Sequence, residues 1–202
     1  MELVVRYSNN KEFHMIKIAP YKFAILTGIL LSPGVFATDI NVDFTATVKA
    51  TTCNIKITGN NVTEDGNDSY TLTLPNMGLD QIVNKTTRAQ ADFTMVASGC
   101  SAGISHIDTT LSGNGSRTFD RLVIPLSSDT TSTTSYIGMG FKKRNAGDET
   151  FLKPNSAEKI RWSATEISTT GLEMTVALRE TSAGEGIPGD FRAQAIFNFT
   201  YE

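Results

Sequence analysis

Two cysteines, Cys53 and Cys100, and two histidines, His14 and His106, are all the thiol and imidazole chemistry this chain has. That excludes a four-cysteine zinc site and makes mixed Cys/His sites hard to assemble. His106 lies in Ile104-Ser105-His106-Ile107-Asp108, where its alternation with apolar residues puts it on the solvent face of a strand. No G-x-S-x-G, H-E-x-x-H or nucleophilic-cysteine context accompanies it. Glu64, Asp65 and Asp68 stand close together, but their spacing fits no calcium loop, so neither a metal nor a cofactor is expected. Lys142-Lys143-Arg144, beside Asn145-Ala146-Gly147, reads as a solvated turn, with a surface-binding role as the alternative. Trp162 reads as a packing residue before a sugar platform. These residue types are not arranged for catalysis, and an enzyme is not expected.

The elements that must position them come from the rest of the chain. It has 202 residues with 18 basic and 21 acidic side chains, a net charge of −3 that argues against a nucleic-acid partner. Lys17 and Lys22 precede an apolar stretch, Phe23 to Leu31, which ends at Pro33-Gly34 and the small-residue pattern Val35-Phe36-Ala37. Residues 1–37 therefore read as a secretory signal cleaved after Ala37, with Met15 as a second candidate start. Cleavage leaves 165 residues with 14 basic and 19 acidic groups, a net charge of −5, and His106 as the one histidine. Export makes a Cys53–Cys100 disulfide the default reading, with free thiols as the alternative. Closing that loop would contribute roughly 4 kcal/mol in the chain-entropy account.

A period of two runs through the exported part. Ile40, Val42, Phe44, Ala46 and Val48 alternate with polar neighbours. Leu172, Met174, Val176 and Leu178 do the same, and so do Phe191, Ala193, Ala195, Phe197, Phe199 and Tyr201, with Ile196 the one exception. Such runs are strands with one face on a core. Shorter candidates are Asn54 to Ile57, Tyr70 to Leu74, Asp92 to Ala97, Ile104 to Leu111, Arg121 to Leu126 and Tyr136 to Lys142. Turn-forming polar clusters fall at 58–69, 112–116, 127–135 and 181–189, while only 80–91 and 156–160 can hold a helical turn. The pattern predicts one all-β domain, a β-sandwich of immunoglobulin-like type. The alternating C-terminal strand has no evident partner for its second side, an edge that another chain can pair with by β-strand addition.

At this point the residues resemble a chaperone–usher pilin, the fimbrial subunit family that includes the type 1 fimbriae. The segment from Gly189 to Glu202 carries a penultimate Tyr201, a Gly fourteenth from the end and alternating apolar residues between them. Tyr70-Thr-Leu-Thr-Leu-Pro-Asn-Met-Gly78 resembles the family's early strand and turn, and Phe93-Thr-Met-Val-Ala-Ser-Gly-Cys100 the strand that ends in its second cysteine. The resemblance implies an incomplete immunoglobulin-like sandwich lacking its last strand (50–202) behind an N-terminal donor-strand extension (38–49). It implies a periplasmic chaperone that lends a strand to the open groove. An outer-membrane usher then catalyses its replacement by the extension of the next subunit. Carried over by position, Ile40, Val42, Phe44, Ala46 and Val48 are the donor residues. Ala46 stands where the family usually has Gly. Gly189, Phe197, Phe199 and Tyr201 lie along the groove edge and meet the chaperone. The product is a head-to-tail fimbrium on the bacterial surface, reached through the periplasm and contributing to cell adhesion. Only 15 exported residues precede Cys53, which resembles a minor tip or linker subunit more than a major rod subunit. A secreted glycan- or surface-binding adhesin module is the reading from another functional class, and pairing of Ile40 to Val48 within its own domain is the structural alternative.

Overall fold

The computed structural model describes residues 52–202; the expected signal segment and the expected donor segment, 38–49, lie outside the described residues. Nine strands and one short helix follow in the order β1 (Asn54–Thr58), β2 (Val62–Gly66), β3 (Ser69–Leu72), α1 (Leu79–Val83), β4 (Gln90–Ser98), β5 (Ile107–Gly113), β6 (Ile137–Lys143), β7 (Ile160–Arg161), β8 (Leu172–Glu180) and β9 (Ala195–Tyr201). One sheet has the order β1-β4-β8-β6 and a second the order β7-β5-β9, while β2 and β3 form a separate hairpin. Every ladder is antiparallel.

Alternation decides which faces meet. Phe93 and Met95 of β4, Met139 and Phe141 of β6, and Met174, Val176 and Leu178 of β8 face inward. They meet Ile107 and Leu111 of β5 and Ala195 and Phe197 of β9. Three rings join the sheets: Phe197 lies 5.1 Å from Phe141, edge to face, and 6.2 Å from Phe93, with Phe93 and Phe141 6.3 Å apart. Trp162, buried as expected of a packing residue, donates its Nε1–H to Thr109 Oγ1 at 2.8 Å and meets Phe199 edge to face. A disulfide joins Cys53 to Cys100, fixing the chain before β1 to the chain after β4.

The outer face of the first sheet is covered too, which simple alternation does not predict. Gly138 and Gly140 of β6 pair with Arg179 and Ala177 of β8. Leu122 and Phe151 lie flat against that surface with Ala177. A Cβ at Gly140 would sit 2.6 Å from the Phe151 ring, and one at Gly138 2.9 Å from Leu122 Cβ. Beside them, the Asp148 carboxylate accepts from Lys142 Nζ at 2.9 Å and from Arg179 Nε at 2.6 Å. Burial pushes the Asp148 carboxyl up, but the two cations prevail and hold it below the usual carboxylate range.

Several expectations are corrected here. Lys142-Lys143-Arg144 is a solvated turn only from Arg144 on: Lys142 and Lys143 belong to β6, and all three are paired, with Asp148, with Glu166, and with Asp92 and Glu173. Residues 121–126 make no strand. Pro125 has no amide to donate, Arg121 is turned aside onto Glu158, and only Val123 bridges, to Gly115 and Met139. The polar stretch 58–69 holds β2, whose pairing with β3 relies on backbone and on Val62. Asp80 to Ala91 divides into α1, a 3-10 turn at Thr87–Ala89 and the start of β4; residues 156–160 hold no helix and run into β7. The last strand begins at Ala195, not Phe191, because the chain before it is bonded elsewhere.

Gly140→Ala is expected to destabilise the domain by about 1–3 kcal/mol, lowering the melting temperature by about 2–4 °C per kcal/mol in a thermal scan. The Asp148 carboxyl has a lower pKa folded than its unfolded value of about 3.9, so its contribution is complete above that pH and is lost as pH falls through the folded value. Melting temperature should therefore decline below about pH 4, and Asp148→Asn should show a shallower decline from a lower starting point.

Candidate functional site

β9 is bound to β5 from Tyr201↔Ile107 to Ala195↔Gly113, and among the described residues no other strand pairs with it. Its inward residues decline in burial along the strand: Phe197 is fully enclosed, whereas Phe199 and Tyr201 are half-buried. Of the residues expected at the groove edge, Phe197 is thus a core residue, Phe199 and Tyr201 lie at the sandwich margin, and Gly189 lies in the segment feeding the strand. Tyr201 Oη donates to Cys53 O at 3.3 Å, which brings the end of β9 to the start of β1. At the same end, Glu202 O accepts from Ser105 N and His106 N at 2.7 and 2.9 Å, while Arg161 holds both Glu202 and Asp108. Hydrogen bonds from Arg161 and Lys159 keep the buried Asp108 carboxyl far below the usual range, so this end is pinned by an ionised network. His106 is exposed beside it.

At the other end, the chain ahead of β9 borders a cleft of about 730 Å³. One wall is Thr71 of β3 with Thr73 to Met77 beyond it; the other is residues 187–192. Leu74, Leu79, Ile82, Ile137, Leu178 and Phe191 supply an apolar lining between them. β3 pairs only with β2 among the described residues, so the edge of β3 and the chain leading into β9 border this region, while residues 195–201 of β9 itself lie outside the lining. The sequence pointed to Gly189 and the β9 alternation. It missed the β3–α1 connection and Leu178, which reach the cleft from far apart in the chain and carry no signal except apolarity.

Gly189 is explained by close approach. A Cβ there would lie 2.7 Å from both Thr133 Oγ1 and Thr134 N. The loop 127–135 is stitched to this segment: Thr133 and Thr134 amides donate to Asp190 O at 2.9 and 3.2 Å, Asp190 N donates to Thr133 Oγ1 at 2.9 Å, and Ser132 Oγ donates to Arg192 O at 2.8 Å. These bonds spend the backbone that a longer β9 would have used. What the arrangement can do is offer a cleft lined by both apolar and polar side chains, beside the edge of β3 and the chain entering β9, to an extended segment. Glu64 is taken up by Lys56 and Asp65 by the Thr71 hydroxyl; no group of three or more candidate metal ligands occurs among the described residues.

A family model described as fimbrial protein matches residues 42–202. The chain is 70% identical over 189 residues to the uncharacterized fimbrial-like protein YadM of Escherichia coli (strain K12), covering 93% of this chain and 100% of that one. Among solved structures, the P pilus rod subunit PapA aligns at 14% identity over 80% of this chain and 99% of its own, with a TM-score of 0.45.

Gly189→Ala is expected to push residues 131–134 off the cleft wall. The Thr133 and Thr134 amides should then exchange with deuterium faster than in the unaltered protein, while the β8 amides stay protected; unchanged exchange at both threonines would remove the close-approach account of Gly189.

Proposed function

The chain belongs to the fimbrial protein family, whose members are non-enzymatic subunits of surface-exposed chaperone–usher pili, and from that premise we propose that it polymerises by donor-strand exchange through the trough beside β9. The observation that carries this reading is a cleft with apolar side chains in its lining, bordered by β3 and by the chain that leads into β9, two strands each paired on one side only among the described residues. A strand laid between them would complete the sandwich. The chain has such a strand to give: Ile40, Val42, Phe44, Ala46 and Val48 alternate without interruption just ahead of the domain. Burying the four large side chains would contribute roughly 6–12 kcal/mol at roughly 1.5–3 kcal/mol each, and backbone groups of both edges would gain partners. Ordering the segment opposes this, yet the balance supports a non-covalent join that is lost very slowly.

The rest of the fold supports one direction for the donor. All six ladders are antiparallel, so the donor runs antiparallel to β9, with Ile40 toward Tyr201 and Val48 toward the cleft at residues 187–192. Donor and trough lie on different parts of one chain, which makes the contact head-to-tail and the polymer open-ended. Before assembly, the same trough would be filled by a strand of a periplasmic chaperone, with Gly189, Phe199 and Tyr201 along its margin and Phe197 beneath it. The outer-membrane usher would then exchange that strand for the neighbour's. The short extension ahead of Cys53 favours a minor tip or linker place in the fibre, from which the subunit contributes to cell adhesion.

Phe44→Arg is expected to leave chaperone capture intact and abolish donation to a neighbour, read as wild-type periplasmic subunit level with loss of polymer. Correspondingly, a peptide spanning residues 38–51, added to protein lacking them, should raise its melting temperature slowly and by tens of degrees. Normal polymer yield from Phe44→Arg would contradict the donor assignment.

A further inference from the structure

Four large apolar side chains are exposed among the described residues; of these Ile187 lines the cleft, and Leu126 and Tyr136 line a second depression that shares Thr134 and Ile137 with it. Ser135 and Ile187 exchange backbone hydrogen bonds at 3.4 and 3.0 Å, which ties Ile187 to the residue before Tyr136. Leu126 and Tyr136 border the same shallow depression next to the loop 127–135. Tyr136 is held with φ at 55°, and its carbonyl accepts from Thr181 N at 2.8 Å. Of the six non-glycine residues with positive φ, four are Asn or Asp, which tolerate that region; an aromatic residue there is strained. Residues in such conformations persist where the surrounding structure imposes them and cluster at sites with a task. Here the effect is to leave a large ring, 48% exposed, standing in water on the same depression as Leu126.

We propose that the Leu126–Tyr136–Ile187 patch is the seat on which the body of the next copy of this chain rests once its donor segment fills the cleft. The inference rests on the donor-strand reading above, and chain length supplies the occupant. If Val48 ends at residues 187–192, only residues 49–52 separate it from Cys53 of the incoming copy. Five Cα steps span at most about 18 Å fully extended. The incoming domain therefore cannot swing clear of the cleft mouth; its Cys53 end must come down there, and the apolar side chains exposed there are these three. The arriving surface is the end pinned by Tyr201 and Glu202, chiefly residues 101–106 with the exposed His106. An apolar seat of this kind fixes the angle between successive subunits, whereas the donor strand supplies the hold.

The test separates the seat from the strand. Cysteine is placed singly at Ile187 or Leu126 in the patch and at Asn76 in the cleft wall, and maleimide labelling is followed on the full chain alone, on the chain lacking residues 38–49 with a 38–49 peptide added, and on polymer assembled from full-length copies. The expected result is that peptide abolishes labelling of Asn76→Cys but leaves Ile187→Cys and Leu126→Cys fully labelled. In polymer, labelling is lost at all three. Patch positions that label as fast in polymer as in the free chain, with Asn76→Cys protected, would overturn the seat and leave strand donation standing. Failure of both peptide and polymer to protect Asn76→Cys would overturn the donor reading and the seat with it. A second readout uses Tyr136→Gly, which relieves the positive φ. It should melt no lower than the unaltered chain, yet give polymer in which Ile187→Cys regains labelling; retained protection would count against a role for the ring.

Discussion

The packing of Phe197 against Phe141 and Phe93 is the contact on which the rest of this structure depends. β9 reaches the first sheet through that ring. Phe197 sits in mid-strand at the junction of both sheets, so β9 stays fixed although named strands pair with only one of its sides among the described residues. An edge held by backbone bonds alone would fray. One held by a buried aromatic can serve as a stable template for another strand. Each end of β9 is then set independently: the Arg161–Asp108–Glu202 network and the Tyr201–Cys53 bond at one end, the Gly189 stitch to residues 131–134 at the other.

That division of labour accounts for features a simple sandwich does not need. The outer face of β6 and β8 is sealed by Phe151 and Leu122 over two glycines and by Asp148 between two buried cations. With apolar area committed on both faces of the first sheet, the domain can hold together while part of its core region lies beside a trough. The disulfide ties the chain before β1 to the chain after β4, so on the proposed reading a pull on the chain ahead of Cys53 would reach β4 as well as β1 through a covalent bridge.

Much of this was legible in the sequence for physical reasons that can be named. β8 and β9 alternate over nine and seven residues, long enough for a period of two to stand out, and export made the cysteine pair readable. Gly189 was singled out by resemblance, while its cause, the approach of Thr133 and Thr134, lies 55 residues or more away along the chain and has no local signature. β2 was hidden because Val62 is the one apolar side chain in Val62–Gly66. Lys142-Lys143-Arg144 read as a solvated turn because their partners, Asp148, Glu166, Asp92 and Glu173, come from four separate segments. Residues 121–126 show the opposite error: alternation was present, but Pro125 and the pull of Glu158 on Arg121 left one bridging residue. The trough was the least legible part, since it is lined by short pieces of the chain that share nothing in sequence beyond being apolar.

What remains is whether residues 38–49 complete their own domain or a neighbour's. Incorporating a photoreactive benzoylphenylalanine at position 44 decides this directly, using polymer grown from an equal mixture of nitrogen-14 and nitrogen-15 chains. After irradiation and digestion, mass spectrometry identifies both the residue captured and the chain it came from. The account predicts adducts with β9, β3 or the cleft residues in which the two halves carry mixed isotopes as often as matched ones. Adducts confined to matched isotopes would mean that the segment folds back into its own sandwich, and the donor-strand account would be wrong.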